Sequence, residues 1–428
     1  MKKLNIAIVG LGNIGTHLFK YLNDNMTILS KKNNCTPVIT FVSAKNKNKK
    51  RSIKVKKKQW LNNYLDATKH KNIDLIIELI GGAEGPAKKL VFNALKNKKH
   101  VVTANKALIA KYGDKLAKIA EKNNVNLEFE AAVCGGLPII RSLKEGLIAN
   151  KISKIYGIFN GTSNYILSSM DKQNKDFNEV LNDAKKKGYA EANPSADLNG
   201  DDVSAKLKIL SSLCFNSFLN HNIHVEGIKN IDKNDIINAN KLGYKVKLLG
   251  YAELINDKIY QRVHPTLIKK SSYVASIDGV LNAVIIDGKP VGQTAIQGEG
   301  AGPSATTSAL ISDISSILRG NIKFPFSISD KERKKLKFDN ITKRIFSAYL
   351  RFEVLDKHGV LSNITNIFST NKVSIKRLVQ NPNKLKKTSS IIIITHNSKD
   401  MDLNKILKII SKKKYIKKKP ILIRIDDK

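Results

Sequence analysis

An apolar, β-rich run over residues 4–9 leads straight into Gly10-Leu11-Gly12-Asn13-Ile14-Gly15, and a helix-forming stretch over residues 16–22 follows. A strand, a Gly-x-Gly-x-x-Gly turn and a helix in that order form a dinucleotide-binding fingerprint. Gly10 permits the tight turn, Gly12 lets a pyrophosphate approach the backbone, and Gly15 lets helix and strand pack closely; Asn13 and Ile14 lie between them at the helix start. The alternation continues with strands at 37–42, 73–80 and 100–103 and a helix at 86–97. It calls for a parallel, doubly wound sheet in an α/β fold.

The second strand ends at Ser43 with no acid to take a ribose 2′-hydroxyl, and Lys45, Lys47, Lys49, Lys50 and Arg51 follow. Basic groups there accommodate a 2′-phosphate, so NADP(H) is preferred over NAD(H). Length, 428 residues, implies two or three domains. Cys35, Cys134 and Cys214 show no paired spacing, which suggests neither a disulfide framework nor a zinc site. No stretch is apolar and long enough to cross a bilayer, and the N-terminus does not resemble a signal peptide, so a cytoplasmic protein without a membrane partner is expected. The net charge of +39 is carried by Lys dispersed along the whole chain. That pattern is compositional bias rather than a nucleic-acid-binding surface, and no nucleic-acid partner is expected.

One segment reverses this charge: Gly188 to Lys206 contains Glu191, Asp197, Asp201 and Asp202. Asn193-Pro194 and Asn199-Gly200 read as turns, and a helix follows from about residue 201 to 213. Val203, Leu207, Leu210 and Cys214 form its apolar stripe, with Asp202 and Lys206 four apart on the flank. An arbitrary pair at that spacing is usually an exposed helix pair. Glu191 and Asp197 crowd the same turns, however, and three acids with one Lys suit an ammonium-bearing substrate and a proton donor.

This run resembles the substrate segment of homoserine dehydrogenases. Val101-Val102-Thr103-Ala104-Asn105-Lys106, residues 156–167 and the loop 298–307 match further blocks of the same family in order, so the resemblance spans essentially the whole chain. It implies NADPH-dependent, reversible reduction of L-aspartate 4-semialdehyde to L-homoserine, on the route to threonine and methionine. By the same resemblance Lys206 is the acid–base residue, Glu191 and Asp202 hold the substrate and Asp197 shapes the pocket. Thr103, Lys106, Gly188 and Gly302 are placed at the cofactor. A sodium ion is implied at the Glu130 side chain and the carbonyls of Val133, Gly135 and Leu137. Asn160 and Thr162 suit a pocket or a helix cap equally, and His264 before Pro265 reads as structural.

Residues 345–428 give β-α-β-β-α-β, the ferredoxin-like order, and resemble an ACT regulatory domain, which implies threonine as an effector. The expected organisation is a Rossmann-type domain over 1–134 completed by about 300–320, then a mixed α+β catalytic and dimerisation domain over 135–299. A linker over 321–344 and the ACT domain complete it. No aspartate kinase segment precedes Met1, so the monofunctional form is expected, as a homodimer or homotetramer. Two rivals are an acylating aldehyde dehydrogenase, with Cys134 as its thiol, and an amino-acid sensor on a vestigial dehydrogenase body. Glu191, Asp202 and Lys206 argue against the second.

Overall fold

The computed structural model describes residues 2–219, 223–383, 385 and 387–426. Strands β1 (Lys2–Val9), β2 (Cys35–Ser43), β3 (Leu75–Glu78), β4 (His100–Thr103) and β5 (Leu127–Glu128) form a parallel sheet in the order β2-β1-β3-β4-β5. Successive side chains of these runs enter two different cores. Ile6, Ile8, Leu75 and Ile77 meet Leu18 and Leu22 of helix α1 (Asn13–Asp24) on one face. Ala7, Ile76 and Val101 meet Leu90 and Leu116 on the other. Burial on both faces is why the strands read as continuous apolar runs.

The chain returns to this sheet late. The helix Pro303–Leu318 places Leu310, Ile314 and Ile317 in the core beside α1. Thr307 Oγ1 lies 2.9 Å from His17 Nδ1, and Asp313 accepts the Glu130 amide at 2.9 Å.

The intervening residues build a mixed sheet. Strands Gly292–Glu299, Leu281–Lys289, Lys151–Ile158, Tyr244–Ile255 and Lys258–Lys269 lie side by side, with helices Gly161–Gln173 and Asp201–Cys214 packed on this half. The sheet does not stop there. Ile421–Asp426 pairs in parallel with Lys258–Lys269, and Ile345–Leu355, Thr388–Thr395 and Ile375–Asn383 extend it in that order. The C-terminal module thus has its ferredoxin-like strand order and is continuous with the catalytic half.

Its seam is fastened by fully buried Asp235, which accepts from Arg351 Nε at 2.7 Å, Arg351 Nη2 at 3.0 Å and Tyr349 Oη at 3.0 Å. Such a fork-on-carboxylate pair fixes orientation as well as contact. The charged stretch around residue 333 reads as a linker, yet it is docked: Arg333 is buried over the Phe326 ring at 4.2 Å and donates to Asp114 at 2.6 Å. Its charge hides a packing role that periodicity does not show.

Candidate active site

Strand order reverses between β1 and β3, and in open parallel sheets ligands lie beyond the carboxyl ends of strands at such a point. Gly10 holds φ +111, and a Cβ on it would collide with the Leu79 carbonyl; one on Gly15 would collide with the Gly10 carbonyl. Gly12 differs, because nothing lies within 4 Å of where its Cβ would stand. The fold requires the outer two glycines, whereas the middle one keeps a space open. Helix α1 starts without a side-chain cap and without an acid in its first turn, so its first amides, Asn13 and Ile14 among them, are left for an anion. These residues fit a dinucleotide pyrophosphate.

The contrast is measurable. Gly12→Val is expected to leave the thermal midpoint within about 2 °C while weakening NADPH binding by about 100-fold or more in a fluorescence titration. Gly15→Val is expected to lower the midpoint itself by about 4 °C or more, since backbone must shift.

After β2, Arg51 donates through Nε to the Leu11 carbonyl at 3.0 Å and through Nη2 to the Asn46 carbonyl at 2.7 Å. The basic loop is thereby tied to the first glycine turn. At the end of β3, the fully buried Glu78 accepts from the amides of Ile80 at 2.8 Å and Gly81 at 2.9 Å and from the Thr103 hydroxyl at 2.5 Å. Thr103 in turn accepts the Asn105 amide at 3.0 Å, so its side chain braces the loop edge. Glu78 was legible only as an acid inside an apolar strand, with nothing to show what it would hold.

The catalytic half supplies the charged centre. Helix Asp201–Cys214 starts at Gly200 (φ +88) and turns Asp202 and Lys206 inward, both under a tenth exposed. Lys206 Nζ lies 2.8 Å from Asp202 Oδ2 and donates to the Phe159 carbonyl at 2.6 Å. Across the cleft Lys106, the first residue of helix Lys106–Lys122, places its Nζ 2.9 Å from Asp202 Oδ1. Asn160 both caps and lines. Its Oδ1 accepts the Ser163 amide at 2.8 Å, while Nδ2 donates to Asp197 at 2.7 Å and Asp202 at 2.9 Å. Thr162 donates to the Tyr189 carbonyl at 2.6 Å, joining this turn to the acidic run.

Burial alone would raise the Asp202 carboxyl, but the ammonium groups of Lys206 and Lys106 and the Asn160 amide outweigh it and hold Asp202 below the usual carboxylate range. Burial would conversely lower Lys206, and Asp202 more than reverses that, so Lys206 stays cationic. Asp197 is pushed up by burial and by Asp202. The sequence pointed to these acids as a group; the structure joins Asp197 and Asp202 through Asn160 and sets Lys206 and Lys106 on the two oxygens of Asp202. Glu191 is exposed and makes none of these contacts among the described residues. Gly188 is exposed beyond helix Phe177–Lys186, where its φ of +75 serves the helix end.

Beside this centre, the buried Glu130 accepts the amides of Ile140 at 2.8 Å and Arg141 at 2.7 Å. Burial pushes its pKa up to about 7, against those two amides. Val133, Gly135 and Leu137 are buried in the following loop, and the Gly136 amide donates to the Glu299 carbonyl at 3.0 Å, so the return loop lies directly on it. Gly302 (φ +106) begins the return helix with open space around it. One carboxyl plus backbone carbonyls is donor chemistry for a hard cation, and each Glu130 oxygen retains a second lone pair. Among the described residues no three His, Cys, Asp or Glu side chains cluster for a metal. Cys134 is buried, and burial pushes its thiol up, which opposes a role as a thiolate nucleophile.

Models of known families match the chain in three parts. The homoserine dehydrogenase NAD-binding domain covers residues 10–130, homoserine dehydrogenase covers 138–315, and the ACT domain covers 348–414. The homoserine dehydrogenase of Neisseria gonorrhoeae is 37% identical, covering 100% of this chain and 99% of that one. The Bacillus subtilis homoserine dehydrogenase is 35% identical over 95% of this chain and 94% of its own. The crystal structure of a homoserine dehydrogenase from Thiobacillus denitrificans superposes with a TM-score of 0.91 at 35% identity, covering 100% of this chain and 99% of that chain. That of the S. aureus enzyme gives 0.76 at 32% identity, covering all of both chains. With this identity to homoserine dehydrogenases along its whole length, the chain belongs to the homoserine dehydrogenase family.

Proposed function

We propose that the chain reduces L-aspartate 4-semialdehyde to L-homoserine with NADPH, reversibly, with Lys206 as the proton donor. The observation that carries this reading is the single carboxylate of Asp202 held between Lys206 and Lys106, one lysine from each side of the cleft. When bound, the reduced nicotinamide supplies a hydride to the aldehyde carbon. Lys206 donates its proton to the carbonyl oxygen, on which negative charge develops. Asp202 keeps that ammonium charged, while Asp202 and the Phe159 carbonyl occupy two of its three N–H bonds and leave the third for the substrate. Glu191 and Asp202 take the substrate's ammonium group, and Asp197, fixed by Asn160, shapes the wall between them.

NADPH is the favoured reductant because Arg51 fixes a loop of lysines at the glycine turn, where a 2′-phosphate would lie. Thr103, Lys106, Gly188 and Gly302 border the same crevice in this reading. A sodium ion at Glu130 and the carbonyls of Val133, Gly135 and Leu137 would compensate a carboxylate whose hydrogen bonds, among the described residues, come from the backbone amides of Ile140 and Arg141. Replacing sodium by choline at constant ionic strength is then expected to lower the thermal midpoint by about 2 °C or more.

Initial-rate kinetics test the proposal. NADPH with the semialdehyde should support turnover, and Arg51→Ala, which releases the lysine loop from the glycine turn, should raise KM for NADPH by about tenfold while leaving KM for NADH within about twofold. Absence of semialdehyde reduction by the unmodified protein would overturn the function, and an equal change with both cofactors would overturn the role of Arg51.

A further inference from the structure

The last rung of the β3–β4 ladder is a polar pair inside an apolar sheet: Glu78 stands opposite Thr103, and both are fully buried. Beyond this rung the two strands part into separate loops at their carboxyl ends, and Glu78 serves both. Its Oε1 accepts the amides of Ile80 and Gly81, which open one loop, and its Oε2 accepts the hydroxyl of Thr103, which opens the other. All three donors are neutral, so none offsets the burial of a carboxylate as a cation would. An apolar side chain would complete the sheet core here more simply. What the carboxylate contributes is direction.

That direction is passed on through Thr103. With its proton committed to Glu78, the Thr103 oxygen can only accept, and it takes the Asn105 amide at 3.0 Å. Asn105 then holds two elements at once. Its Oδ1 accepts the Leu108 amide at 3.1 Å and caps the helix Lys106–Lys122, while its Nδ2 donates at 2.7 Å to the Gly82 carbonyl, on the loop that Glu78 holds from the other end. Hydrogen bonds thus close a circuit from Glu78 through Thr103 and Asn105 to the 80–82 loop and back. The next residue is Lys106, the first of the helix. Its side chain is 42% exposed and reaches Asp202 Oδ1 at 2.9 Å. A long, half-solvated side chain keeps much of its rotamer freedom, so where its ammonium falls depends on where its backbone is anchored.

We infer that Glu78 is a positioning residue for the reaction: through Thr103 and Asn105 it fixes the helix start so that Lys106 meets Asp202. The inference rests on the reading of Asp202 and Lys206 as the reacting centre. Lys106 and Lys206 share the Asp202 carboxylate, so a displaced Lys106 alters the charge balance of the site with no substitution in it. Glutamine does not replace Glu78 in this role, because its amide nitrogen turns a donor toward Thr103 or toward the loop amides. At Thr103 the hydroxyl would have to accept from that nitrogen as well as from Asn105, and its own proton would lose its acceptor.

A double-mutant cycle on the full chain tests this. Glu78→Gln keeps the side-chain volume and is expected to lower kcat/KM for the semialdehyde by about tenfold or more, with NADPH affinity in a fluorescence titration changed by less than about twofold. In a Lys106→Met background the same substitution should lower kcat/KM by less than about twofold, because the residue it acts through is gone. Amide hydrogen exchange over residues 106–109, followed by mass spectrometry, should rise by about tenfold or more in Glu78→Gln. Asn105→Ser keeps an oxygen for the cap and gives up the bond to Gly82; it should lower kcat/KM by about threefold or more, and it carries the same cycle if Glu78→Gln does not accumulate folded. Equal losses in the two backgrounds, a loss confined to NADPH affinity, or unchanged exchange at the helix start would each refute the positioning of Lys106 by Glu78. An unmodified protein that fails to reduce the semialdehyde would refute the reaction instead, and the exchange measurement would then decide by itself whether Glu78 fixes the helix start.

Discussion

Lys206→Ala is expected to cut turnover by about 10²- to 10⁴-fold, the range of a positioned general acid, with NADPH affinity changed by less than about twofold. The variant should fold. Asp202 would still be held by Lys106 at 2.9 Å and by Asn160 at 2.9 Å, so removing Lys206 leaves no uncompensated buried charge. Steady-state rates with the semialdehyde, set beside a fluorescence titration with NADPH, measure both quantities. Turnover within tenfold of the unmodified protein would remove Lys206 from the chemistry.

Asp202→Asn should have a different effect, because it leaves the shape of the site and removes its charge balance. Lys206 would then feel burial without its carboxylate, so its pKa should fall below the usual lysine value. The sign follows from linkage. In the native protein the raised Lys206 value contributes stability that is fully present below the unfolded lysine value of about 10.4 and is lost only as pH rises through the folded value. In Asp202→Asn the order of folded and unfolded values reverses, and stability should instead increase as pH rises toward about 10.4. Near neutrality the loss should reach about 3 kcal/mol, the scale for breaking a buried pair, tempered by deprotonation of Lys206. The alkaline limb of the reduction profile should move to lower pH by about 1 unit or more. Denaturant melts and pH–rate profiles check each part; an unmoved limb would mean that Asp202 does not set the charge state of Lys206.

Much of this site was legible because its elements are local. The Gly10–Gly15 turn follows a strand and begins a helix within a few residues, and the order of strand and helix then dictated the doubly wound sheet. Asp202 and Lys206 are four apart on one helix, so spacing alone placed them together. Lys106 read by itself is one more surface lysine, and only the family resemblance marked it; the fold brings its ammonium 2.9 Å from Asp202. Asn160 offered two readings, cap and pocket, and the structure shows that one amide does both. The Phe159 carbonyl that orients Lys206 could not be read at all, because a backbone acceptor has no residue type. Nor did periodicity show that Ile421–Asp426 would pair with Lys258–Lys269 and make two modules share one sheet: an edge strand's partner is a long-range choice.

The central claim is that a lysine ammonium, kept charged by one shared carboxylate, delivers the proton that accompanies reduction. Rapid-mixing single-turnover oxidation of NADPH by L-aspartate 4-semialdehyde, followed across pH in the native protein and in Lys206→Met, addresses it most directly. The account predicts a native rate that declines on the alkaline side and a variant rate at least about 100-fold slower with that decline absent. A Lys206→Met variant that retains the native rate, or the same alkaline decline, would contradict it.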